Sequence, residues 1–167
     1  MSSPLVKFAP KAREDVVSRY TLNLVRDILD QAGCPSCVVT STSRTPAQQA
    51  QAMYNNVALG VSSQLALYAE AGDQVIGEYV RGRKAGMHPM AIIAAMTSKV
   101  QEVGPALVSL HCADPSILNV IDIAPSSIVD PKAFQQAIEA EAKVGTISRF
   151  FTPGHHDPAF HIEVPQR

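Results

Sequence analysis

Three side chains in the later part of the chain have the types and order needed to hold a metal ion: His111, Asp122 and His161. His111 follows Val108-Ser109-Leu110, Asp122 sits in Asn119-Val120-Ile121-Asp122-Ile123, and His161 in Phe160-His161-Ile162-Glu163-Val164. The apolar runs beside them, 106–110, 120–123 and 160–164, read as β-strands. Two imidazoles and one carboxylate on neighbouring strands would make a three-ligand site with an open fourth position. Catalytic zinc is held in that way, the open position taking the water to be activated.

A single histidine in a strand is more often structural than ligating, so the joint placement carries the argument. Strand alternation puts His161 on one face with Glu163 and leaves Phe160, Ile162 and Val164 to the core. Glu163 is then placed to accept an imidazole N–H and orient the ring. Asp122 points away from Ile121 and Ile123, and a carboxylate in so apolar a strand needs a partner to offset its desolvation. Arg44, in Ser43-Arg44-Thr45-Pro46, falls in a turn between a strand and a helix, a common place for a functional side chain on a rigid support. A salt bridge to a nearby Asp or Glu is the structural alternative.

The elements around these residues follow from pattern. Residues 12–31 read as a helix through Val17, Tyr20, Leu24 and Ile28, stopped by Gly33. Residues 37–42 are a β-branched strand. Thr45 as N-cap, Pro46 at the first helical position and Gln48 three residues after the cap start a second helix, expected to reach about Leu59. Residues 62–96 are mostly helical and a further run from Pro89 reaches Val103, with His88 as its cap. Asp130 caps a helix over 131–143, and strands follow at 147–151 and 160–164. Helices come first and a small antiparallel sheet with a connecting helix comes later, an α+β pattern.

The same residues resemble a known family. Ser109-x-His111 followed by Asp122, then Phe160-His161-Ile162-Glu163, resembles the SxH…D and WHxE motifs of the peptidase family M15. Residues 42–49 look like its GYRSxxxQ segment. The resemblance covers 40–49 and 109–164 and implies the Hedgehog/DD-peptidase fold, in one domain over 1–167 with a helical insertion at about 60–104. It implies Zn²⁺ on His111, Asp122 and His161, and hydrolysis of peptidoglycan stem or cross-link peptides at a D,D- or L,D-type bond. Arg44, with Ser109, would hold a substrate carboxylate, for which a guanidinium fork is suited. The family spaces its first His and its Asp more closely, which leaves Asp114 as a rival ligand to Asp122. Its water-activating acid stands three residues before the last His, a position held here by Pro158. Asp157, one step earlier, is the expected base, with His155 and His156 as rivals. A catalytically silent binding or structural module of the same fold, such as one derived from a phage, is the alternative function.

Bulk properties fit this picture. With 167 residues the chain is long enough to bury a substantial core, and 46% apolar against 17% charged residues is ordinary for a globular domain. Fourteen Lys and Arg against fifteen Asp and Glu leave no basic footprint for nucleic acid. Residues 1–10 lack the features of a signal peptide, and no apolar run reaches membrane-spanning length. The expectation is a soluble cytoplasmic product that meets the cell wall only if delivered there. Three cysteines do not make a disulfide framework. Cys34-Pro35-Ser36-Cys37 follows a helix and precedes a strand, the reverse of a redox CxxC. Buried thiols or an incidental disulfide are expected there, and a structural zinc site on Cys34, Cys37, His111 and Cys112 is a further possibility.

Overall fold

Ser18 begins the first long helix: its hydroxyl accepts the Thr21 amide at 3.0 Å, and α1 runs Arg19–Gln31. The computed structural model describes residues 3–154 and 158–167. Residues 12–17, expected in the helix, instead hold a 3-10 turn, Glu14–Val16, so the helix starts later than its apolar pattern suggests. Gly33, at φ +64°, provides the left-handed residue that turns the chain after α1. Among the described residues the architecture is α+β, and no helix is long and apolar enough to cross a membrane. The chain divides into two compact units, Met1–Ser43 with Asp114–Arg167, and Arg44–Ala113.

The first unit holds a five-stranded sheet in the order β1-β2-β3-β5-β4. Its strands are β1 Leu5–Phe8, β2 Ser36–Ser41, β3 Leu118–Ile123, β4 Arg149–Phe151 and β5 Phe160–Pro165. β1 pairs parallel to β2, whereas the other neighbours are antiparallel. The sheet is therefore mixed, not purely antiparallel as expected, because the short edge strand β1 joins it. Ile121, Ile123, Phe160, Ile162 and Val164 share a core with Leu24, Ile28 and Leu29 of α1. Phe134 and Ile138 of α7, Pro131–Lys143, complete that core, and the Phe134 and Phe160 rings meet edge to face at 5.1 Å.

Asn119 pins the start of β3 to the start of α1. It is 2% exposed. Its Oδ1 accepts the Ser18 amide at 2.8 Å, and its Nδ2 donates to the carbonyls of Val16 at 3.1 Å and Pro115 at 2.8 Å. One buried amide thus satisfies three backbone groups, those of Val16, Pro115 and Ser18.

The second unit is helical: α2 Pro46–Val57, α3 Val61–Leu67, α4 Glu70–Lys84, α5 Pro89–Val103 and α6 Pro105–Val108. It has its own core, including Met53 and Val57, Val75 and Ile76, and Ile92, Met96 and Val100. The segment read as an insertion at about 60–104 is thus part of a helical unit that begins at Arg44. Thr45 and Gln48 form the expected capping box, each side chain accepting the other's backbone N–H. His88 caps α5 by accepting the Met90 amide. Gly82 lets α4 and α5 approach closely, since a Cβ there would lie 2.7 Å from Ile92. The strand expected at 106–110 is not formed. Gly104 at φ +102° and Pro105 at the first helical position start α6 instead, and a 3-10 turn, Leu110–Cys112, follows.

Replacing Asn119 with Ala should destabilise the protein by about 1–3 kcal/mol, because three partly buried backbone groups lose their partner. Urea unfolding checks this, and an unchanged midpoint would show that the amide is not a clamp.

Candidate metal centre

The β3–β5 register places Asp122 directly opposite His161 and Val120 opposite Glu163. Since Ile121, Ile123, Phe160, Ile162 and Val164 take the core face, Asp122, His161 and Glu163 share the other. His161 Nδ1 lies 2.9 Å from Asp122 Oδ1, and its Nε2 lies 3.0 Å from Glu163 Oε1. His161 is 8% exposed and Glu163 only 4%, so each charge depends on its neighbour. Burial by itself would lower the His161 pKa. The hydrogen bonds and charges of Asp122 and Glu163 outweigh burial and raise it to about 9. The β2–β3 ladder is irregular between Val39 and Ser41, next to Asp122, and Thr40 Oγ1 donates to the Asp122 carbonyl at 3.3 Å. Phe151, opposite His161 on β4, lays its ring 5.4 Å from the imidazole.

His111 lies in the 3-10 turn rather than on a strand, and is buried. Its amide donates to Ser109 Oγ at 3.3 Å, and its carbonyl accepts the Arg44 amide at 2.7 Å. Ser109 thus caps the turn that carries His111, besides any part it takes with substrate. Arg44 Nη1 donates to Gln49 Oε1 at 3.2 Å, and Gln49 Nε2 donates to the Tyr68 hydroxyl at 3.4 Å. Burial raises the Tyr68 pKa, and it pushes the Cys112 thiol up to about 11 against the pull of Arg44.

Among the described residues, His111 of the second unit and Asp122 and His161 of the first carry the donor types that could hold a metal ion. The donor set fits a divalent ion such as zinc, which takes imidazole nitrogen and carboxylate oxygen at about 2.0–2.2 Å. Glu163 on the remaining imidazole nitrogen is the usual support of a metal-binding histidine.

Asp114 is not in this group. It is exposed, its Oδ1 accepts the Ser116 amide at 2.8 Å and the Ser116 hydroxyl at 2.7 Å, and these bonds lower its pKa. Asp157, His155 and His156 lie outside the described residues. Cys34 and Cys37 are buried free thiols of the first unit's core. Burial, then the neighbouring Cys34, pushes Cys37 up to about 12. Neither cysteine joins the candidate group. Tyr68 escapes the sequence reading: it sits on a separate element from Gln49, and no local pattern links the two.

In metal-stripped protein, His161 contributes stability that is fully present below about pH 6.5 and lost as pH rises through about 9. Its folded pKa is raised, so the imidazolium is the stabilising form. The unfolding free energy should fall by up to roughly 3 kcal/mol across that window, relative to His161→Gln under the same chelator. Parallel pH profiles for the two proteins would contradict the assignment.

Compared with known proteins, no family model, curated protein or solved structure matches this chain.

Proposed function

We propose that the protein is a zinc-dependent peptidase of the Hedgehog/DD-peptidase fold, acting on stem or cross-link peptides of peptidoglycan. The observation that carries this reading is His161 paired across β3 and β5 with Asp122 and backed by Glu163. The motif resemblance to the peptidase family M15 and the α+β architecture agree with it. His111, Asp122 and His161 would hold the zinc, which when bound supplies Lewis acidity toward a scissile carbonyl and toward water.

The chain's own residues do the rest. Glu163 fixes the His161 ring and its tautomer by accepting a hydrogen bond from Nε2–H. Arg44 supplies a guanidinium for a carboxylate of the substrate peptide. Asp157 is assigned the proton, taking it from water and passing it to the leaving amine. A second reading, the catalytically silent module, is favoured by Pro158, which stands where family members carry the acid. Of the two readings, the silent module predicts weak or absent zinc, or bound zinc without turnover.

Incubation with purified peptidoglycan separates them. The peptidase releases peptides with new amino termini or free D-amino acids. Asp157→Asn should lower turnover by about 10²–10⁴-fold while metal content stays at the wild-type level. Wild-type protein that holds zinc yet releases nothing from several wall chemotypes would overturn the peptidase in favour of the silent module.

A further inference from the structure

Arginine can only donate hydrogen bonds, so a glutamine beside it must turn its carbonyl inward. Gln49, wholly buried on α2, does this: Oε1 accepts from Arg44 Nη1 at 3.2 Å. Rotation of the amide by half a turn would aim its NH₂ at the guanidinium, donor against donor. The Tyr68 hydroxyl anchors the far end of the amide by accepting from Gln49 Nε2 at 3.4 Å. Tyr68 is itself seated: it follows α3 directly, and its ring lies against Gly72 of α4. A Cβ at position 72 would come within 2.7 Å of the Tyr68 ring atoms. The absence of a side chain at Gly72 therefore gives the phenol its place. The backbone is tied as well, since the Arg44 amide donates to the His111 carbonyl at 2.7 Å. Arg44 is thus held at both ends within one helical unit.

We infer that Tyr68 is a positioning residue for Arg44, acting through Gln49 to aim the guanidinium at the terminal carboxylate of a peptide. The carboxylate part of this inference rests on the proposed peptidase reading. The orienting relay from Tyr68 to Gln49 to Arg44 does not. Its elements come from three places in the unit: the loop before α2, α2 itself, and the junction between α3 and α4. Loss of the hydroxyl alone removes the restraint on the amide and leaves ring packing intact, so Tyr68→Phe is the informative variant. Gly72→Ala should act the same way by displacing the ring, with the hydroxyl still present.

NMR on arginine-labelled full-length protein tests the relay without any ligand, with the Arg44 signal assigned through Arg44→Lys. Rotation of the guanidinium about its Nε–Cζ bond should be slow in the wild type. It should be about three- to tenfold faster in Tyr68→Phe and faster again in Gln49→Leu. Unchanged rotation in both Tyr68→Phe and Gly72→Ala would overturn the relay. A second arm titrates N-acetyl-D-alanyl-D-alanine and its C-terminal amide into the same proteins. The wild type should prefer the acid, and Tyr68→Phe should lose about three- to tenfold of that preference. Wild-type protein that does not distinguish acid from amide would overturn the carboxylate role of Arg44, even with the relay intact.

Discussion

The site in the first unit depends on one buried interaction, the His161 imidazole held between the carboxylates of Asp122 and Glu163. An imidazolium between two carboxylates is stable in a poorly hydrated place only because the three groups compensate one another. Several features of the fold follow from keeping them together. β3 and β5 must pair in the register that sets Asp122 across from His161, since a slip by one residue would turn both toward the apolar core. The core on the opposite face, with Phe134 and Phe160 at its centre, holds that register. Asn119, three residues before Asp122, anchors the start of the same strand to α1.

The second unit uses a different means to the same end. There the functional candidates sit outside long elements and are held by caps. Ser109 caps the turn carrying His111, Thr45 and Gln48 box the start of α2 just after Arg44, and the Arg44 amide closes onto the His111 carbonyl. Caps act over three or four residues, so they fix a side chain on a short turn where strand pairing is absent. A proton and a metal ion would compete for the same nitrogen of His161, so ion binding and protonation oppose each other at this imidazole.

How much of this was legible in the sequence depended on the range of the forces involved. The capping box at Thr45, the cap at Asp130 and the alternation of Phe160 through Val164 are local patterns, and the elements they predict are present. The face shared by His161 and Glu163 followed from the two-residue period of a strand. The run 106–110 misled because a short apolar stretch has no period long enough to separate strand from helix; Gly104 and Pro105 decide it. β1 was missed because its four residues are an edge strand made by pairing with β2, some thirty residues away. The Asn119 clamp and the Gln49–Tyr68 contact were missed for the same reason, as partners distant in sequence leave no local trace.

The most direct test of the central claim is the metal content of protein purified without chelator, measured beside His161→Ala and Cys34→Ser/Cys37→Ser. The account predicts one zinc per chain in the wild type and in the cysteine variant, and loss of the ion with His161. A wild type without zinc, even after zinc is supplied and excess removed, would contradict the metal centre. So would zinc that survives His161→Ala but disappears with the two cysteines.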